Sequence, residues 1–486
     1  MDQNSVPIME ALQNHAALSP DSFHVPGHKN GRAMPEPGKN MFASLLPFDQ
    51  TELTGLDDLH DPHGIIASAQ ALAAELYGAA YTQFLIGGST AGNLIMMLAA
   101  FEAGDVVLVQ RDAHKSLVNG LRMAGVQPVF IDPAFDEHSQ LSMGLSYLQV
   151  KTAFQTYPTA RGLVLTSPSY YGWTPSLRPL IQEAKENGAV VAVDEAHGAH
   201  FPASAVFPET AVAQGADLVV QSAHKTLPAL TMTGYLHVGP SSQISVRAVR
   251  EASSMLQSSS PSYPLMASLD AARKYLHDRM QKEDSFIEKP IQEVKNNIRQ
   301  ASDLEEVHPP YHIKADPLKY IMKTPEGYSG WRLQKYLEKE YIYTELADHR
   351  HVVFFLSFDS CHTQSYERIE RAVQQMYQEK PESPPSSCLL PVPSFGMQLM
   401  EKDWYKRGDR EPAVCLVQAG RGERTAADII PYPPGIPLFF KGERLEGERY
   451  EFLCEWLAGG GRIQGGWQEI NGQWYISISK RDGTNE

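Results

Sequence analysis

The stretch Asp194–His200 reads DEAHGAH and closes an apolar run, AVVAV. Two carboxylates and two imidazoles within seven residues suit three chemistries: the acidic box of a nucleic-acid-dependent ATPase, a metal site, or an acidic clamp on a cofactor. The ATPase needs a phosphate loop of the form G-x-x-x-x-G-K-[ST]. The single Gly-Lys pair, Gly38-Lys39, is followed by Asn40 in a Pro-rich segment, so that loop is absent. A metal site could use His197 and His200 at a spacing of three, but there is no H-E-x-x-H and no cysteine nearby. The cofactor reading has a partner. Lys225, in SAHKT (Ser222–Thr226), also follows an apolar run. Lysine is almost never fully buried unless paired. Held in a dry site it loses basicity and becomes a nucleophile for carbonyls.

Three further stretches stand after apolar runs. GGSTAGN (Gly87–Asn93) offers glycines, two hydroxyls and a helix start, the parts of an anion cradle. RDAHKS carries His114, and SPSYYG spans Ser167–Gly172. Pyridoxal 5′-phosphate is an aldehyde cofactor that needs such groups together. Lys225 supplies the amine for its aldehyde and Asp194 the anion beside its pyridine nitrogen. Gly88–Asn93 and Ser222 supply the phosphate site, and His114 a flat ring to stack on it.

The elements that must position these residues read as a parallel sheet. From about residue 61, apolar runs alternate with helical stretches: TQFLIG, DVVLVQ, QPVFID, RGLVLT, AVVAVD and ADLVVQSA. Continuous apolar strands separated by helices belong to a sheet covered on both faces. Ligands bind such sheets outside the carboxyl ends of the strands, where all five stretches fall. The chain divides into an arm (1–60, with an amphipathic helix over Pro7–Ala17), a large cofactor-binding domain (61–305), a small α+β domain (306–380) and a C-terminal domain (381–486). The last follows the Pro/Ser linker PESPPSSC and ends in a hairpin, WQEINGQWYISI, turning at Asn471-Gly472.

Composition narrows the classes. A formal charge of −15 argues against a nucleic-acid binder, whose affinity comes from Lys and Arg on phosphates. No two of the four cysteines form a C-x-x-C pair. The N-terminus has no basic region followed by an apolar core, and the longest apolar runs are too short to span a membrane. The expectation is a cytoplasmic enzyme with neither nucleic-acid nor membrane partner and no metal.

SAHKT, DEAHGAH, RDAHKS, GGSTAGN and HVPGHKNG together resemble the Orn/Lys/Arg decarboxylases, fold-type I enzymes dependent on pyridoxal 5′-phosphate. The resemblance extends through TELTGLDDLHDPHGIIASAQALAAELYGA, SSSPSYPLMASLD and PYPPGIPLFFKGE, and is nearest to the shorter bacterial branch without an N-terminal wing domain. It implies an aspartate aminotransferase-like large domain with a mostly parallel seven-stranded sheet. It implies that Lys225 is the Schiff-base lysine, that Asp194 pairs with the pyridine nitrogen and that His197 lies beside the cofactor. His114 would stack on the ring, with Ser89, Thr90, Ser222 and His224 around the phosphate. Ser259, within Ser258–Ser260, would reach the phosphate of a neighbouring subunit, and the arm would cover the partner's site. The family is built as homodimers, or higher even oligomers, with shared active sites.

The expected reaction is decarboxylation of a basic amino acid, with arginine favoured and lysine or ornithine as alternatives. Lys225 or His224 would return the proton. Glu345, in YIYTELADHR, is the candidate carboxylate for the cationic side chain, with Asp57 and Asp58 as alternatives. An aminotransferase or aldolase of the same fold is the competing reading. An aminotransferase normally holds its substrate carboxylate with an arginine, for which Arg332 and Arg350 are the candidates. The chain departs from the family in having GGS before the phosphate helix and Lys441-Gly442-Glu443 near the C-terminus.

Overall fold

The computed structural model describes residues 1–358, 365–381, 396–401, 404, 413–432, 435–458, 461–464, 467–470 and 473–479. The expected linker from residue 382 onward and the Asn471-Gly472 turn lie outside them.

Helix α1 (Pro7–Ala17) starts at a proline, whose missing N–H costs nothing there. The short α2 (Glu36–Phe42) and α3 (Ile65–Tyr77) follow. Strands and helices then alternate: β1 (Tyr81–Leu85), α4 (Gly88–Ala100), β2 (Val106–Gln110), α5 (Lys115–Ala124) and β3 (Gln127–Ile131). A hairpin of β4 (Ala134–Phe135) and β5 (Ser142–Gly144) leads to α6 (Tyr147–Thr156), β6 (Gly162–Thr166), β7 (Trp173–Thr174), α7 (Arg178–Glu186) and β8 (Val190–Asp194). After β9 (Leu218–Gln221), α8 (Ala223–Thr226) and β10 (Gly234–Val238) come three helices, α9 (Val246–Leu256), α10 (Tyr263–Met280) and α11 (Asp284–Ser302).

Seven of these strands make one sheet in the order β1-β10-β9-β8-β6-β2-β3. All neighbours from β9 to β3 are parallel, and β10 alone runs against them. Strands β8 and β9 are buried at every position, as their unbroken apolar text requires. An eighth strand, contributed by the C-terminal region, adds antiparallel to β3.

The next unit holds β11 (Glu305–Glu306), β12 (Lys314–Ala315), β13 (Lys319–Lys323), α12 (Gly330–Lys339), β14 (Leu346–Ala347), β15 (His351–Phe355) and α13 (Tyr366–Gln378). Four of its strands pair as β11-β13-β15-β14, whereas β12 pairs with β7 of the large unit. That bridge draws the segment after β12 towards the strand ends of the large sheet. The C-terminal region supplies β16 (Met397–Leu399, the eighth strand), β17 (Ala413–Leu416), β18 (Ile430–Pro431), α14 (Gly447–Ala458), β19 (Ile463–Gln464), β20 (Trp467–Ile470) and β21 (Gln473–Ile478). Helix α14 has no counterpart in the sequence reading.

The arm has one packed part and one uncovered part. Ile8 and Leu12 of α1 are buried in one cluster with residues of α3 and α10. The Ile8 N–H also donates to Asp270 on α10 (3.1 Å). The exposed apolar part is the following stretch, where Phe23 is 96 % exposed and Met41 77 %. Among the described residues no helix is long and apolar enough to cross a membrane.

Candidate active site

The carboxyl ends of the large sheet, the 305–358 unit and the C-terminal region enclose a cavity of about 740 Å³. Its floor is set by register. Thr166 ends β6 opposite Asp194, which ends β8. β9 then feeds directly into α8, which carries His224 and Lys225. Ser89, Thr90, His114, Asp194, His197, Ser222, His224, Lys225 and Glu345 all line this cavity. Ser259 does not. It is exposed just beyond the end of α9.

Helix α4 aims its N-terminus into the cavity. Gly88 has φ +68°, a conformation natural to glycine. At Gly92 a β-carbon would run into Val220 and Leu85, so a hydrogen there lets the helix sit close on β9 and β1. Among the described residues no side chain caps the start of α4, whose Gly88 N–H donates to the Met232 carbonyl (2.7 Å). Ser222 Oγ donates to Ser89 Oγ (2.8 Å), so two hydroxyls from different elements meet at that end.

Asp194 is buried and held on both oxygens, by Asn93 Nδ2 (2.8 Å) and by the Ala196 N–H (3.1 Å). Asn93 donates also to Ser116 Oγ (2.8 Å), which lies 2.7 Å from His114 Nδ1. A line of neutral dipoles therefore links the carboxylate to the His114 ring. Burial lowers the His114 pKa.

Lys225 Nζ lies 3.0 Å from His197 Nε2 and 5.9 Å from the centre of the Tyr170 ring. Burial lowers the basicity of Lys225, against the opposing pull of Asp194 and Glu345. Burial also lowers His224, whose Nδ1 donates to the Thr233 carbonyl (2.8 Å).

Residues that the sequence reading did not single out complete the site. Lys319 on β13 reaches His197 Nδ1 from the far side at 3.0 Å. Asp316 bonds His200 (3.0 Å), so the two imidazoles of DEAHGAH face different partners and do not converge. Asp348 pairs with His351 (3.0 Å) and Tyr171 on the cavity wall. Asp112 bonds Ser142 Oγ (2.6 Å), and burial raises its pKa. Asn93, Ser116 and Tyr170 lie inside stretches already quoted. Lys319 had the same signal as Lys225, a lysine against a buried strand, but it opens β13 rather than following a strand end.

Glu345 stands at the rim, accepting from Tyr170 Oη (2.6 Å). Asp57, its alternative, is a helix-start ligand: its carboxylate accepts the N–H groups of Gly64 (2.8 Å) and Ile66 (2.9 Å) ahead of α3. Glu195, the second carboxylate of DEAHGAH, is buried and accepts from Ala211 N–H and Gln221 Nε2 (both 2.7 Å).

The donor set fits pyridoxal 5′-phosphate. An amine, a buried anion, a flat ring and a hydroxyl-rich helix start share one cavity. The buried Thr166 Oγ1 beside Asp194 has no hydrogen-bond partner among the described residues.

Comparison with known proteins agrees. Residues 6–312 match the family described as Orn/Lys/Arg decarboxylase, major domain. The chain is 41 % identical over 467 residues to the Bacillus subtilis (strain 168) protein YaaO, covering 95 % of this chain and 96 % of that one. It is 31 % identical over 479 residues to the arginine decarboxylase of the same organism, covering 96 % of each. The fold superposes on the constitutive lysine decarboxylase of E. coli with a TM-score of 0.80 at 19 % identity, covering 99 % of this chain and 82 % of that one. The chain belongs to the Orn/Lys/Arg decarboxylase family and is a fold-type I amino-acid decarboxylase.

Proposed function

We propose that this enzyme converts arginine to agmatine with pyridoxal 5′-phosphate as cofactor, lysine and ornithine being poorer substrates. The observation that carries the reading is the meeting of Lys225, Asp194 and the hydroxyl-lined start of α4 in one cavity. Lys225 would hold the aldehyde carbon, Asp194 the ring nitrogen and His114 one ring face. Ser89, Thr90 and Ser222 would hold the phosphate. When bound, the cofactor supplies an aldehyde that condenses with amines and a pyridinium ring that accepts the electron pair left by departing carbon dioxide.

The protein's part is placement and protons. Asn93 and the Ala196 N–H fix the orientation of Asp194 by donating to its two oxygens. Loss of carbon dioxide from an amino acid consumes one proton, so a donor must face the α-carbon. Lys225 and His224 are the groups for that task. Glu345 at the rim is our choice for the cationic end of the substrate. The choice of arginine is supported by relatives that carry that name, such as the one from Bacillus anthracis at 30 % identity over 479 residues.

Among the described residues, a transaminase reading lacks its arginine. Neither Arg332 nor Arg350 lines the cavity. The two arginines that do are paired, Arg111 with Glu443 (2.9 Å) and Arg449 with Asp132 (2.7 Å).

The same reading includes the four-part domain division and a homodimer with shared sites. The dimer is supported by exposed Ser259 and by the uncovered apolar residues of the arm. Chromatography of amine products from arginine, lysine and ornithine, with carbon dioxide measured alongside, tests the function. Agmatine as main product is expected. Keto acid without carbon dioxide would overturn it.

A further inference from the structure

His197 stands between two lysines, Lys225 on Nε2 and Lys319 on Nδ1, each at 3.0 Å. A neutral imidazole has one N–H and one lone pair. An ammonium can only donate, whereas an amine can also accept. Both contacts are hydrogen bonds only when one lysine donates and the other accepts, so the line holds at most one ammonium. Two arrangements satisfy it. In the first, Lys225 ammonium donates to Nε2 and Nδ1–H donates to the Lys319 amine. In the second, Lys319 ammonium donates to Nδ1 and Nε2–H donates to the Lys225 amine. They interconvert when the Lys225 Nζ–H and Nδ1–H bonds break and the Nε2–H and Lys319 Nζ–H bonds form. One positive charge changes ends and no proton is gained or lost.

Each end is built to hold that charge. Asp194 and Glu345 face Lys225 electrostatically. Lys319, 4 % exposed, rests on the face of Phe355 with Nζ 2.9 Å from the ring centre. Asp316 and Glu345 face it electrostatically, and Asp316 Oδ2 is buried without a hydrogen-bond partner among the described residues. His114 and His200 face the central imidazole, and the Tyr170 ring packs edge-on against it. A β-carbon at Gly172 would press on Lys319, so the bridge between β7 and β12 shapes its berth. Burial lowers the basicity of all three members of the line.

We propose that Lys319 is a positioning residue, the far end of a one-proton relay that takes the proton from Lys225 through His197, frees the Lys225 amine, and returns the proton. The inference rests on reading Lys225 as the reactive amine. Its test uses the full chain stripped of cofactor, so turnover does not enter. Lysines are acetylated with a trace reagent at graded pH, and the label on Lys225 is read by mass spectrometry. The wild-type midpoint is expected at least one pH unit below that of an exposed lysine.

Lys319→Met removes the proton's second home. It should raise the Lys225 midpoint, and near neutral pH the label should fall about tenfold for every pH unit the midpoint rises. Lys319→Arg fixes a permanent charge at the far end and should lower the midpoint. A merely structural role would not move the two in opposite directions. An unmoved midpoint in either folded variant overturns the relay. So does an ordinary midpoint in the wild-type chain, which needs no variant to fold. An ordinary midpoint in a chain that still makes amine sinks the relay alone. The expected labelling in a chain that makes none sinks the functional reading alone.

Discussion

The cavity has two walls of different build. On the sheet side, Asp194 and Ser116 accept short hydrogen bonds from Asn93 and Ser222 donates one to Ser89, so the Asp194 carboxylate is held in a frame of neutral dipoles. On the side of residues 305–358, Glu345, Asp348 and His351 line the cavity, and Lys319 and Asp316 stand behind the lining against His197 and His200. Around Asp194 the first wall is a fixed frame, which is what a cofactor that must keep one orientation requires, and Lys225, His114, His197 and His224 are its titratable members. The second adds acids and bases that face the sheet-side Lys225 and His197 from across the cavity.

The strongest way to break the comparison is to remove the group on which both walls act. Lys225→Ala is expected to lower amine formation by roughly 10³-fold or more and to abolish the visible absorbance of bound cofactor. Unchanged absorbance would place the cofactor elsewhere. Asp194→Asn keeps the shape of the template and removes its anion. Turnover should fall about 10²-fold, with the melting temperature moved by no more than a few degrees. A large loss of melting temperature with equal loss of activity would make Asp194 a structural pin.

The same division explains what the sequence made legible. The sheet wall is written in short segments, because a parallel strand delivers its last residue and the start of the next helix to one edge. GGSTAGN, RDAHKS, DEAHGAH and SAHKT could therefore be read one by one and assembled. Asn93 and Ser116 were inside those segments but lacked a chemical role until the distances joined them. The second wall comes from a sheet whose strands meet the site through the β7–β12 bridge, a long-range pairing that no local pattern encodes. Nothing local therefore ties Asp316 and Lys319 to the site. Helix α14 was missed for a related reason. Its charged residues are mixed with Tyr450, Phe452, Leu453 and Trp456, which form the apolar face of a core with residues far apart in sequence.

A milder change sharpens the second wall. Glu345→Gln removes a rim carboxylate that already has a hydroxyl partner in Tyr170. If it meets the cationic end of the substrate, KM should rise about tenfold while kcat changes by less than about threefold. The effect should shrink for an analogue whose side chain is uncharged. Equal losses for charged and uncharged side chains would assign the cation to another carboxylate.

The smallest effect on turnover is expected at Glu195, a titratable group buried behind the template. It is 1 % exposed, and burial pushes its pKa up to about 8, with Gln221 and the Ala211 N–H opposing. The folded value lies above the ordinary 4.5, so the fold favours the neutral acid. At pH values below about 4.5 folded and unfolded chains both keep the proton, and the full contribution to stability is present. Between about 4.5 and about 8 the unfolded chain releases the proton and the folded chain retains it, so stability falls as pH rises. Glu195→Gln is neutral at every pH and nearly the same shape. Its stability relative to wild type should therefore grow by at least about 1 kcal/mol from pH 5 to pH 8 in urea unfolding, with amine formation close to wild type. Parallel stability curves would mean that Glu195 is charged in the folded protein. The sheet wall would then hold two adjacent anions, Asp194 and Glu195, rather than one, and its contrast with the second wall would fail at its centre.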